Sequence, residues 1–174
     1  MKTRIVYAPE REDLVAAAQC LRSGGLVAFP TETVYGLGGN GLDPLAAKKI
    51  YEAKMRPQDK ALLCHICGIE MAEEIAVLND TAEKYAYPCP LYYKLAMAFM
   101  PGPLTVILPK KPCVPKEVTG GLETVALRVP SHRVARALLQ ETGLPIAAPS
   151  ANTSGRPSPT LVKYVIEDLD GKVD

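Results

Sequence analysis

At 174 residues, with 48% apolar and 22% charged side chains and a formal charge of +1, the chain has the make-up of one globular domain, long enough to bury roughly 70% of its unfolded surface without disulfides or metals. The near-neutral balance supplies no sequence-wide attraction to polyanions, so any contact with nucleic acid would need a local basic patch. Met1-Lys2-Thr3-Arg4 runs into Ile5-Val6-Tyr7 without a secretion-signal core, and no apolar run approaches the roughly 20 residues of a bilayer span; with five scattered cysteines, Cys20, Cys64, Cys67, Cys89 and Cys113, this predicts a cytoplasmic protein with reduced thiols and no membrane contact.

Ile5 to Tyr7 suits a short strand, and Pro9 stands where a first helical turn tolerates it. Leu14, Ala18 and Leu21 give that helix one apolar face, which Gly24-Gly25 ends. Leu26 to Phe29 is a second strand, and Gly36, Gly38 and Gly41 beyond it predict a turn. Asp43-Pro44 has the cap and first residue of a helix that runs from Leu45 to Lys54, stops before Pro57 and delivers Lys54 and Arg56 at its end. Leu62 to Cys67 is a third strand, followed by helical patterns at Met71 to Val77, Thr81 to Tyr87 and Leu91 to Met100. Strands at Leu104 to Leu108 and Val125 to Val129 follow the turn signals Pro101-Gly102-Pro103 and Gly120-Gly121. Ser131 caps a helix through Leu139, Ile146 to Ala148 forms a last strand, and a helix starts at Thr160. Strands and helices alternate incompletely, which predicts an α/β fold: a single layered domain around a twisted mixed sheet.

Four groups of residues carry chemistry. Gly36, Gly38 and Gly41 satisfy G-x-G-x-x-G, but the next helix starts beyond them and Glu52 lies inside it, so a dinucleotide fold is disfavoured. Cys64 and Cys67 have C-x-x-C spacing, yet strand alternation puts Cys64 with Leu62 and Ile66 on one face and His65 with Cys67 on the other, which argues against a metal site. Lys54, Arg56 and Lys60 flank a loop, where the planar fork of arginine suits phosphate or carboxylate. Ser150, Asn152, Ser154 and Ser158 follow a strand end, the usual ligand position of open α/β sheets. There is neither a Walker A sequence nor G-x-S-x-G, so the residues alone point to an anion-binding domain of nucleotide-binding type.

Phe29-Pro30-Thr31-Glu32-Thr33-Val34-Tyr35-Gly36-Leu37-Gly38, Lys54-Met55-Arg56-Pro57, Pro101-Gly102-Pro103-Leu104-Thr105 and Ala148-Pro149-Ser150-Ala151-Asn152-Thr153-Ser154-Gly155 together resemble the YrdC-like family, in the same order over about Val27 to Thr160. Its members are L-threonylcarbamoyladenylate synthases of tRNA modification. The resemblance implies one YrdC-like domain over residues 1–174 with no second domain, in a family whose domain continues past this C-terminus into a further strand and a glycine- and Ser/Thr-containing segment. It implies condensation of ATP, L-threonine and bicarbonate to threonylcarbamoyl-AMP and pyrophosphate, with Mg²⁺ carried by ATP and no protein metal site. A separate tRNA threonylcarbamoyltransferase would take the product, so that tRNA itself is met weakly or indirectly.

By motif, Lys54, Arg56, Ser150 and Asn152 are implied as catalytic. Arg56, Lys60, Thr124, Ser150 and Ser158 are implied to hold ATP, and Thr33, His65, Arg128 and Ala148 to hold L-threonine. The alternatives are a YrdC-like domain acting in carbamoyl transfer for hydrogenase maturation, and a non-catalytic RNA-binding module.

Overall fold

Apolar residues at alternating positions and glycines between them build the centre of the molecule, which is a six-stranded mixed sheet. The computed structural model describes residues 2–78 and 89–174. In chain order the elements are α1 (Arg11–Arg22), β1 (Val27–Phe29), β2 (Gly36–Asn40), α2 (Pro44–Lys54), β3 (Leu63–His65), α3 (Ile69–Ile75), α4 (Cys89–Phe99), β4 (Val106–Pro109), α5 (Lys116–Thr119), β5 (Thr124–Arg128), α6 (Arg133–Thr142), β6 (Ile146–Ala147) and α7 (Val162–Leu169). The strand order is β1-β2-β6-β3-β5-β4. The β3/β5 pair is parallel and the other pairs are antiparallel. The helix expected at Thr81 to Tyr87 lies outside the described residues.

The period of two sorts the side chains onto two unequal faces. Leu37, Cys64, Leu127 and Ala147 join Ala47, Ile50 and Tyr51 of α2 in the larger core. On the other face Phe29, Ile146 and Ala148 pack with Ala18 and Leu21 of α1 and Ala135, Leu138 and Leu139 of α6. That second layer stops at β6. Leu63, Thr124 and Ala126, on the same face farther along the sheet, remain partly exposed, and Ile107 on edge strand β4 is 64% exposed. A half-bare sheet face therefore lies beside the α1–α6 layer.

The capping signals hold where predicted for α2, whose Asp43 side chain accepts the Leu45 N–H at 2.8 Å. Three expectations fail for identifiable reasons. Ile5 to Tyr7 is no strand: the Arg4 N–H goes to the Asp174 carbonyl and the Thr3 hydroxyl to Val173, so the segment is tied to the C-terminal residues instead of to a sheet edge. The cap of α6 is His132, whose Nδ1 accepts from the Val134 N–H at 3.2 Å, while the Ser131 N–H turns to Glu32.

The third correction concerns the glycines after Phe29, of which only Gly41 sits in a turn. Gly36, Gly38 and Gly39 lie inside β2, because the strand runs between two packed layers with no room for side chains. A Cβ on Gly38 would stand 2.6 Å from Ile146 Cγ2 and 2.7 Å from Phe29 Cε1; one on Gly39 would stand 3.1 Å from Ile50 Cδ1 on the opposite side. Gly38→Ala is expected to cost about 1 to 3 kcal/mol of stability through overpacking, measured as a lower midpoint of urea unfolding; an unchanged midpoint would contradict this packing.

Candidate active site

The site is assembled by three loops at the strand ends beside the bare face. The first is residues 30–35, between β1 and β2. Thr31 stiffens it: its hydroxyl donates to the Val34 carbonyl at 2.6 Å and accepts from the N–H groups of Thr33 and Val34. The loop thereby presents Glu32 and Thr33 to Arg128, the last residue of β5. The guanidinium donates from Nη2 to Glu32 Oε1 at 2.6 Å and to Thr33 Oγ1 at 3.2 Å, and from Nε to Glu32 Oε1 and the Gly102 carbonyl. Pro101-Gly102-Pro103 thus contributes a main-chain acceptor.

His65 is the register neighbour of Arg128 across the parallel β3/β5 pair. Its ring meets Phe29 edge to face at 5.7 Å, and it is 3% exposed. Burial, with the Arg128 charge assisting, pushes its pKa down to about 4, so the ring is neutral at pH 7. Ala148 continues β6 on the same face, with its N–H on the Leu63 carbonyl. Of the four residues implied to hold threonine, Thr33, His65 and Arg128 meet where β3 and β5 end, while Ala148 lies two positions back along the sheet, opposite Leu63.

The second group meets through Lys54. Its side chain ends α2 and is 1% exposed, and its ammonium donates to the carbonyls of Ser150 and Asn152. Its own carbonyl accepts the Ser154 N–H at 2.8 Å. Desolvation, with Arg56 nearby, lowers the lysine's pKa to about 8. Lys54 thus touches main chain and shapes the Ser150–Ser154 loop. Arg56, after a left-handed Met55, reaches the Ala61 carbonyl with Nη2 at 3.2 Å. Lys60 and Ser158 are exposed, and Thr124 starts β5 on the bare face. No hydrogen bond among the described residues joins these three to one another.

Among the described residues, four buried side-chain polar atoms lack a partner, and three of them belong to residues already singled out: Arg56 Nε, His65 Nδ1 and Asn152 Oδ1. Buried polar atoms are nearly always satisfied, so each of these atoms is open to a partner from outside the chain. Two residues escaped the sequence reading. Glu32 was visible inside the first motif but carried no signal of its pairing. Asp168, on α7, accepts the Thr153 N–H at 2.9 Å and pairs with Arg156, fixing the far side of the Ser150 loop; no local pattern announces it. Cys64 is buried in β3 and Cys67 is exposed beyond the strand's end, and burial pushes the Cys64 thiol up to about 12. Among the described residues no group of three or more His, Cys, Asp or Glu side chains could hold a metal ion. Nor is any helix among them long and apolar enough to cross a membrane.

Removing the ammonium should loosen the loop it holds. Lys54→Ala is expected to lose about 2 to 4 kcal/mol through the cavity and two abandoned carbonyls, with faster amide exchange at Ala151 to Ser154; unchanged exchange there would refute the anchor. For His65 the unfolded ring binds a proton below pH 6.5 and the folded one only near 4, so stability falls as pH drops through that window, by up to about 3 kcal/mol. Urea unfolding of His65→Gln at pH 7 and pH 4.5 should show a smaller pH-dependent loss than the wild type.

The Sua5_yciO_yrdC family model, described as telomere recombination, matches residues 19–174. The threonylcarbamoyl-AMP synthases of Pyrococcus abyssi and Bacillus subtilis are each 51% identical, over 91% and 92% of this chain and 44% of their own lengths. The chain thus spans less than half the length of these curated relatives. The crystal structure of P. abyssi Sua5 complexed with L-threonine superposes with a TM-score of 0.88 at 48% identity, covering 97% of this chain and 47% of that one. Full-length HypF in its phosphate- and nucleotide-bound form shares the fold at 20% identity and a TM-score of 0.74, over 92% of this chain and 23% of its own. With a family model covering most of its length and these motifs in place, the chain belongs to the Sua5/YciO/YrdC family.

Proposed function

We propose that the chain makes threonylcarbamoyl-AMP from L-threonine, bicarbonate and ATP, releasing pyrophosphate, and that a separate tRNA threonylcarbamoyltransferase in the cytoplasm uses the product. The observation that carries this is the set of unpartnered buried atoms on His65, Arg56 and Asn152, with Arg128 beside His65 and Lys54 on the Asn152 loop. The threonine-bound relative of the same fold supports the choice of amino acid.

In this proposal Arg128 takes the threonine carboxylate, while Thr33 and His65 Nδ1 face its polar side. The threonine amine attacks carbon dioxide, released from bicarbonate with loss of hydroxide, and gives up a proton to form a carbamate, whose oxygen then attacks the α-phosphorus in line with the departing pyrophosphate. Thr124 and Arg128 share a face of β5 about 13 Å apart at the usual strand rise, which leaves room for a nucleotide and an amino acid along one strand. Arg56 and Lys60 neutralise the charge that develops on pyrophosphate, and Ser150 and Asn152 position the phosphates. Mg²⁺ enters with the ATP phosphates.

Pyrophosphate release should require ATP, L-threonine and bicarbonate together; release that persists without threonine would overturn the proposal. Arg56→Ala should cut turnover roughly a hundredfold while shifting the urea midpoint little, since one preorganised donor to developing charge is worth about that much. L-Serine should be used roughly tenfold less well than threonine, as one methyl in an apolar contact discriminates no further.

A further inference from the structure

The mechanism above gives Glu32 no part, yet its carboxylate accepts three hydrogen bonds, two of them from Arg128. We infer that Glu32 is a positioning residue that sets the Arg128 guanidinium for the carboxylate of an α-amino acid, an inference that rests on the reaction just proposed.

The hydrogen bonds fix both partners. Glu32 Oε1 accepts from Nε at 3.2 Å and Nη2 at 2.6 Å, while Oε2 accepts the Ser131 N–H at 3.2 Å, which stops the carboxylate from rotating. The Gly102 carbonyl and Thr33 hydroxyl take a further bond each from Nε and Nη2. A guanidinium has five N–H donors in one plane. Three are engaged at the Nε–Nη2 edge, so the plane is set and the two on Nη1 are left without a hydrogen bond among the described residues. The support is itself rigid: the Thr31 bonds stiffen the loop from within, and Tyr35 ties its end to Pro159 and Ala151. A site held on such supports binds with little reorganisation.

Two other roles fit worse. As partner of the substrate ammonium, Glu32 would stabilise the protonated amine, which cannot attack carbon dioxide, and its oxygens are already taken. As a base it would be too weak. Burial works against its charge, but Arg128 and main-chain donors outweigh this and hold its carboxyl below the usual range. A third role, in which Glu32 merely fills the place of the substrate carboxylate and leaves when substrate arrives, makes the opposite prediction about affinity.

The test is calorimetric titration of the 174-residue chain and its Glu32→Gln and Glu32→Ala variants with L-threonine and with ATP separately, alongside urea unfolding. Glu32→Gln should raise the Kd for threonine roughly tenfold, and Glu32→Ala by more, since charge-assisted hydrogen bonds are being lost. The Kd for ATP should stay within about twofold of the wild-type value, because the cations assigned to the nucleotide lie on another loop. In steady state the KM for threonine should rise with kcat little changed. Tighter threonine binding would show that Glu32 is a placeholder. Unchanged threonine binding, or equal losses for threonine and ATP, would also overturn the inference. Should Glu32→Ala fail to fold, the isosteric Glu32→Gln decides. If the wild-type chain itself bound no threonine, the proposed function would fall, and this inference with it.

Discussion

The buried ammonium of Lys54 is the interaction on which the Ser150 loop and the end of α2 depend. An isolated ammonium cannot leave water without compensation. Here main-chain oxygens from the Ser150 loop supply it, so the helix that ends at Lys54 and the loop that follows β6 are ordered by one group. The Ser154 N–H closes the contact from the other direction. Asp168 then holds Thr153 from outside, and the loop is gripped between α2 and α7. Arg56, two residues past Lys54, inherits its place from that grip.

The uneven covering of the sheet explains why chemistry gathers where it does. One face is filled along its length, whereas the other is covered only as far as β6. Beyond that line β3 and β5 leave Leu63, Thr124 and Ala126 partly exposed, and their ends bring His65 and Arg128 to the boundary between the covered and bare halves. The α1–α6 layer makes the boundary dry enough to depress the histidine's pKa, while the bare half lets a ligand approach.

Much of this was legible beforehand, because the signals were local. Asp43-Pro44 announced α2, alternation placed His65 opposite Cys64, and Pro57 marked the helix end that carries Lys54 and Arg56. The failures were non-local. Glycine has poor strand propensity, so β2 looked like a turn until the layers on either side were known. Ile5 to Tyr7 had strand composition but no partner edge. The Glu32–Arg128 pair spans 96 positions and Asp168 reaches Thr153 from another helix, contacts that no spacing in the chain encodes.

The glycines of β2 have one more consequence. A strand normally finds its pairing register through the alternation of its side chains, and a slip by one residue is costly because it turns every apolar group outward. Between residues 36 and 39 only Leu37 carries a side chain, fully buried in the larger core. The alignment of a central strand is thus encoded by a single leucine, with Asn40 at the strand's end opposite Ile146. Since residues 30–35 lead directly into this strand, Leu37 acts as the pin that meters the loop's length and delivers Thr33 and Glu32 to the arginine they contact.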